Sequence, residues 1–186
     1  MTALWIVLGL VVLLAVFVAV SYNRFVSQRN LVQESWRQID VELKRRHDLI
    51  PNLVETVKGY ATHEREVFDA VTRARALAAS PGSSPAQRAQ QEGALAQALG
   101  RLFAVAEAYP DLKASTNFLE LQRELTETED RIAAGRRFYN ANVRALNTRV
   151  ESFPSNLVAS SFGFHREEYF EVEDEAVRSA PSVDFS

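Results

Sequence analysis

The sequence predicts an all-α chain: a single N-terminal transmembrane helix, an antiparallel four-helix bundle behind it, and an extended acidic C-terminal tail. Three observations predict this. Ala3 to Ser21 is an uncharged, almost wholly apolar run. Beyond it, apolar residues recur every three or four positions in successive segments, the period of an amphipathic helix, and no strand alternation of any length appears. Glycine and proline, 7 and 6 in 186 residues, are scarce and clustered, as in a chain of a few long helices. The expected boundaries are residues 1–22 for the anchor, 23–162 for the bundle and 163–186 for the tail.

The apolar run holds nineteen residues. As a helix it is roughly 28 Å long, about the thickness of bilayer hydrocarbon. A cleaved signal peptide competes with this reading, because Ala19-Val20-Ser21 places small residues correctly for cleavage before Tyr22. Against it, Met1-Thr2 carries no Lys or Arg and the run exceeds an ordinary signal core. Trp5 and Tyr22 flank the run as interfacial anchors. Arg24, Arg29 and Arg37 follow it and nothing basic but the α-amino group precedes it, so the positive-inside rule places the soluble part in the cytoplasm, on the bacterial inner membrane. The chain has no Cys, which excludes disulfides, thiolate metal sites and a lipidated cysteine.

From Gly9 to Ile50 no other breaker occurs, so the membrane helix is free to continue into a soluble helix with Leu31, Ser35/Trp36, Ile39 and Leu43 inward. A break is expected at Pro51, with Asp48 as N-cap of a second helix over about 49–79. Its stripe (Ile50, Leu53, Val57, Tyr60/Ala61, Val67/Phe68, Val71, Ala74) continues the preceding phase, so one kinked helix is the alternative. Ser80-Pro81-Gly82-Ser83-Ser84-Pro85 stops that helix and starts a third, with Ser84 as N-cap, Pro85 at N1 and Gln87 completing a capping box. The third helix runs to about Tyr109 with Leu95, Leu99, Leu102/Phe103 and Ala106 inward. Ser115 or Thr116 caps a long last helix to about Ser152, striped by Phe118, Leu121, Leu125, Ile132, Tyr139, Val143, Leu146 and Val150. Ser152-Phe153-Pro154 opens a short helical turn to about Ser160, and the remainder reads as extended and then disordered. Four amphipathic helices joined by short connections pack as an antiparallel bundle.

About 165 residues lie outside the span, enough for one core. The net charge of −3 gives no support for nucleic-acid binding. The charge is uneven, with −5 falling on 165–186 and +2 on the rest. A carboxylate-bridged di-metal site needs Glu-x-x-His on two helices. Here His47, His63 and His165 are preceded at that spacing by Lys44, Tyr60 and Phe162. His63-Glu64-Arg65-Glu66-Val67 misses H-E-x-x-H at its last position. No glycine-rich phosphate loop and no G-x-S-x-G is present. The sequence thus points to no cofactor, no metal, no small-molecule substrate and no catalytic residue. Polar residues near core phase are Arg46, Asn52, Asn117, Glu124, Glu129, Arg136, Asn140 and Asn147. They read as hydrogen-bonded pairs that fix helix register, with a buried ligand or proton site as the alternative. The Glu120-Glu124-Glu127 run beside Arg123 and Arg131 reads as a solvated face. Lys44-Arg45-Arg46 pairs with acids of the bundle or, alternatively, touches anionic lipid.

The segment Arg45-Arg46-His47-Asp48-Leu49-Ile50-Pro51-Asn52-Leu53-Val54, followed by Val57-Lys58-Gly59-Tyr60-Ala61 and His63-Glu64, resembles the signature of the LemA family of bacterial membrane proteins. Tyr109 to Ala114, Phe118 to Gln122, Thr128-Glu129, Arg137 to Asn140, Phe153 to Ser155, Gly163-Phe164 and Tyr169-Phe170 fit that family in order. The resemblance implies an up-and-down four-helix bundle behind one membrane segment, and no established activity. Genes of the family often lie beside those for membrane metallopeptidases or small membrane-linked domains, which implies a part in envelope maintenance. Some members carry a lipobox Cys just before the Tyr-Asn pair that is Tyr22-Asn23 here; this chain has Ser21. Such members have the domain outside, which competes with the positive-inside argument.

These readings converge on a non-catalytic, membrane-anchored scaffold that assembles with itself or with another membrane protein. The alternatives are an adaptor of a membrane metallopeptidase and a lipid-binding or remodelling protein. The expected interaction surface comprises Arg45, Arg46, Asp48, Pro51, Asn52, Lys58 and Tyr60 with the aromatic segment Phe164, Tyr169 and Phe170.

Overall fold

The first helix of the computed structural model does not break at Pro51. The structure describes residues 1–171, and among these 83% of the ordered backbone character is helical in kind, with no strand. Six helices follow in order: α1 Thr2–Lys58, α2 Arg65–Ala78, α3 Pro85–Glu107, α4 Pro110–Lys113, α5 Thr116–Glu151 and α6 Ser155–Phe162. The expected disorder of the tail beyond Glu171 lies outside the described residues.

Continuity of α1 corrects the expected break, and the reason is visible in its hydrogen bonds. Proline lacks the amide that would satisfy the carbonyl four residues earlier. That carbonyl belongs to His47, and Arg75 Nε donates to it at 2.7 Å. A side chain from α2 thus replaces the missing backbone donor. Asp48, expected as a cap, instead accepts from Lys44 Nζ on its own helix, and that hydrogen bond holds its carboxyl below the usual range. The helix ends at Lys58, before Gly59, whose backbone freedom makes a helix interior unfavourable. The expected 49–79 helix is therefore divided at residues 59–64 instead.

Other boundaries follow local chemistry. Ser84 Oγ accepts from the Gln87 amide, and the Gln87 side chain accepts from the Ser84 amide, the complete capping box with Pro85 at N1. Gly163 closes α6 in the left-handed conformation at φ 70°, which glycine adopts without steric cost.

The chain divides into two units. The first comprises residues 1–42 and 131–169. It includes the first nineteen apolar positions, long and apolar enough to cross a membrane, with none of the most apolar window covered by protein. Past that stretch Phe25, Val32 and Ile39 of α1 are buried, as are Ile132, Tyr139, Val143 and Leu146 of α5. Asn142 Nδ2 donates to Ser35 Oγ at 3.4 Å, Trp36 packs on Tyr139 at 5.3 Å, and Arg149 lies over Phe25 at 6.0 Å. Rising numbers on α5 meet falling numbers on α1, so these segments run antiparallel. The extended segment after α6 is held by a two-point clamp. Asn147 Nδ2 donates to the Glu167 carbonyl at 2.9 Å and Asn147 Oδ1 accepts from the Glu167 amide at 2.8 Å. Tyr139 Oη donates to the Glu168 carbonyl. Phe164 stacks on Phe25 at 4.8 Å.

The second unit comprises residues 43–130 and, among the described residues, 170–171. Its core gathers Ile50, Leu53 and Val57 of α1, Phe68 and Val71 of α2, Leu95, Leu99 and Leu102 of α3, Leu112 of α4, and Phe118 and Leu125 of α5. The Arg75 contact with His47 returns α2 alongside α1. Asn117 donates to Thr56 and Glu129 pairs with Arg46, so this part of α5 also runs against α1.

Removing the Arg75 donor leaves an orphaned carbonyl, so Arg75→Ala should cost about 1.5–3 kcal/mol. In a Pro51→Ala background the restored amide reaches the same carbonyl, and the cost should drop by about 1 kcal/mol or more. A double-mutant cycle of thermal unfolding in detergent measures the difference; additive costs would contradict this account of Pro51. Burial pushes the Tyr139 phenol well above its ordinary value of 10.0. Its contribution to stability is therefore complete below pH 10 and is lost as pH rises through the folded-state value. Alkaline unfolding should be less pH-dependent in Tyr139→Phe than in the parent chain.

Candidate functional site

Among the described residues of the second unit, charge is buried between α1, α3 and α5. Glu92 of α3 is 3% exposed, Arg46 3% and His47 6%. An isolated buried charge is strongly unfavourable, so each must be matched. Arg46 Nη1 donates to Glu92 Oε2 at 3.0 Å. His47 Nε2 lies 2.8 Å from Glu92 Oε1. A carboxylate only accepts, so the imidazole proton sits on Nε2. Both carboxylate oxygens are thereby occupied. Arg46 Nε is 2.8 Å from Glu129 Oε1, an ion-pair distance at which the N–H is not aligned to make a hydrogen bond. Burial raises the Glu129 carboxyl above its ordinary value, against the lowering effect of Arg46, and the nearby Glu92 and Asp130 charges add to the rise.

Helix geometry places these groups. Leu43, Arg46/His47, Ile50 and Leu53 follow three- and four-residue steps, so the arginine and histidine sit on the inward face of α1. Glu92 precedes Leu95, Leu99, Leu102 and Ala106 on the buried stripe of α3. The stripe legible in the sequence begins at Leu95, and one further step back along it reaches Glu92. His47 was likewise missed as a core residue, although it neighbours Arg46 on the same stripe. Arg46, Glu129 and Asn147 were singled out, and the structure gives each a polar partner. Asn52 and Asn117 are exposed, and no group of three or more metal-ligating side chains is found among the described residues.

The expected interaction surface is only partly a surface. Arg45, Asp48 and Asn52 are exposed and share one face of α1, and Pro51, Lys58 and Tyr60 are exposed as well. Arg46 is buried in the charge cluster, which removes it. Phe164 and Phe170, expected to be available, are 6% and 1% exposed. Phe164 is consumed by its stack on Phe25, and Tyr169 is half-buried. The solvated acidic run behaves as expected, with Arg123 pairing Glu127 one turn away, while Arg131 pairs with Glu42 at 3.7 Å.

Chemically, the cluster is saturated: a carboxylate neutralised on both oxygens by groups of the same chain. Glu92→Ala should cost about 3–5 kcal/mol because it takes from the buried Arg46 its buried counter-charge, leaving only the part-exposed Glu129, and takes from His47 its acceptor. Replacing Arg46, His47 and Glu92 together by Leu should cost less than Glu92→Ala alone, since the one charge of the cluster left without its partner is Glu129, whose side chain is 42% exposed. Chemical denaturation of the two variants and the parent chain tests this. For Glu129 the folded-state value lies above the unfolded one, so its favourable contribution is present below pH 4.5 and fades as pH rises through the folded value. Stability relative to Glu129→Gln should fall over that interval, measured as melting temperature against pH.

Comparison with known proteins places this arrangement. Magnetosome protein MamQ 2 of Paramagnetospirillum magneticum is 29% identical over 175 residues, covering 81% of this chain and 64% of that protein. Magnetosome protein MamQ of Magnetospirillum gryphiswaldense is 27% identical over 174 residues, covering 80% and 64%. Protein LemA of Metamycoplasma hominis is 27% identical over 155 residues, covering 82% and 69%. The chain thus spans somewhat less than two thirds of the length of the MamQ relatives. The family model described as LemA family matches residues 35–185, a stretch that contains the buried charge cluster, the Pro51 turn of α1 and the Asn147 clamp, and the chain belongs to the LemA family.

Proposed function

We propose that this chain is a non-catalytic helical scaffold, anchored in the bacterial inner membrane by residues 3–21 and self-assembling through its cytoplasmic part, in maintenance of the envelope. The observation that carries the reading is α1: the apolar segment and the first buried stripe of the first unit belong to one unbroken helix. A continuous helix mounts a domain on a membrane more stiffly than a glycine-rich linker would. The up-and-down four-helix bundle expected over residues 23–162 is supported by the return of α2 along α1 and by the antiparallel contacts of α5. The non-catalytic reading is supported by membership of the LemA family and by a buried cluster whose central carboxylate is spent on partners within the chain.

The surface for assembly is the exposed face bearing Arg45, Asp48 and Asn52, with Lys58 and Tyr60 beyond it. The cytoplasmic assignment rests on the arginines that follow the span.

Three measurements test this. Alkaline carbonate should leave the full chain in the membrane pellet, and deletion of residues 1–21 should release it. In detergent at micromolar concentration its mass by light scattering should exceed the 20.9 kDa of one copy; a monomer overturns self-assembly. The chain has no native Cys, so Ala86→Cys, exposed at the start of α3, gives a single label site. A membrane-impermeant thiol reagent should reach it only after lysis, and labelling of intact cells overturns the cytoplasmic placement.

A further inference from the structure

At the end of the apolar stretch, within the first unit, lies a groove of about 340 Å³. Phe17, Ser21 and Arg24 line it from α1, Thr148 and Arg149 from α5, and Ser155 from the start of α6. Its chemistry is one-sided. Carbonyls in the last turn of α5 would repel an anion, and two of them are already engaged. Ser152 Oγ donates to the Thr148 carbonyl at 2.7 Å, and Ser155 Oγ donates to the Arg149 carbonyl at 2.8 Å. The guanidiniums are not covered. Arg149 Nε is buried without a hydrogen-bond partner, and the Phe25 ring lies beneath its guanidinium. Among the described residues neither Arg24 nor Arg149 forms an ion pair; Glu151, two positions from Arg149, is engaged by Arg166 at 2.9 Å. Two arginines suit the oxygens of a phosphate ester, with the Ser21 and Thr148 hydroxyls beside them, since the Ser155 hydroxyl is already committed to the Arg149 carbonyl.

A second observation concerns α6. Phe162 meets Tyr22 edge-on at 5.1 Å and borders an apolar groove with Val11, Leu14 and Val18, while Ser155 at the other end borders Phe17 and Arg24. Both ends of α6 therefore sit against α1 where the apolar run gives way to charge. At that level Phe153, just before α6, is 80% exposed, and Leu157 and Phe162 of α6 are 58% and 51% exposed. Apolar side chains there fit the boundary between headgroups and acyl chains, beside the phosphates.

We propose that this groove holds the phosphate of an anionic membrane phospholipid between Arg24 and Arg149, with Phe153, Leu157 and Phe162 seated among the adjoining acyl chains. This rests on residues 3–21 spanning a bilayer. A zwitterionic headgroup would bring its own cation toward the two arginines, so an anionic headgroup is preferred.

The test is native mass spectrometry of the full chain released from detergent micelles containing phosphatidylglycerol or phosphatidylcholine. The parent chain should retain phosphatidylglycerol in preference to phosphatidylcholine. Arg24 is exposed, so Arg24→Gln should keep the helical circular dichroism yet weaken retention about tenfold, the effect of losing one charge-assisted phosphate contact. The Arg137→Gln/Arg144→Gln double variant, exposed arginines elsewhere on α5, should retain lipid as the parent does. Equal retention by Arg24→Gln, or equal loss in the control, overturns the site. Displacement of lipid by millimolar inorganic phosphate assigns the groove to free phosphate and overturns the lipid. A spin label on Leu157→Cys in vesicles of both lipids should collide with oxygen more than with a water-soluble nickel chelate; the reverse overturns the seating of α6. Failure of the membrane span itself would appear separately, as release of the parent chain by carbonate.

Discussion

Pro51 takes one amide out of α1, and Arg75 supplies the donor that lets the helix run on. Without that substitution the His47 carbonyl would be left among buried side chains, where an unmet acceptor costs as much as several apolar contacts contribute. Because the helix continues, each apolar residue keeps the angular position set by its neighbours one turn away. Leu43, Ile50, Leu53 and Val57 therefore share a face, and so do Phe25, Val32 and Ile39 nearer the span. The packing of α2, α3 and α5 on that face follows from its phase.

Charge plays a different part from apolar burial in the second unit. Leu, Ile and Val pack acceptably in more than one register. A carboxylate at Glu92 does not, since only one register delivers both Arg46 and His47 to its two oxygens. Buried ion pairs contribute little net stability, and their use here is selection among packings that apolar contacts alone would tolerate. Asn147 serves the first unit in the same way: its amide matches one backbone N–H and one C=O, and so fixes which residue of the extended segment lies on α5.

What could be read from the sequence was what depends on neighbours a few residues apart. The uncharged run, the Ser84 capping box, the stripe of α5 and the start of α6 after Pro154 all rest on such local rules, and the LemA signature added the family. The features that escaped depend on distant partners. Pro51 looked like a helix start because its compensation comes from a residue 28 positions away from the carbonyl it serves. Gly59 was passed over because Tyr60/Ala61 continued the stripe, and Ala61 is indeed buried, though on a turn rather than a helix. Glu92 draws no notice in a local reading because acids are usually exposed, although its phase places it inward. The aromatic tail looked free for the same reason; neither the Phe25 stack on Phe164 nor the Asn147 clamp leaves a trace in local periodicity.

The first unit is built from the two ends of the described chain, and this bears on its biosynthesis. Ser35 and Asn142, which meet there, are 107 residues apart. At roughly 5–20 residues per second, the ribosome takes on the order of ten seconds to make the second after the first. During that interval the span has left the ribosome while Phe25, Val32 and Ile39 still lack the α5 residues that cover them. Residues 43–130 are made in one continuous stretch and have their core partners in hand first. The segment nearest the membrane is the first to be translated and the last to be enclosed, so a nascent chain is most open to chaperones, or to a neighbouring copy, along the turns of α1 that follow Ser21.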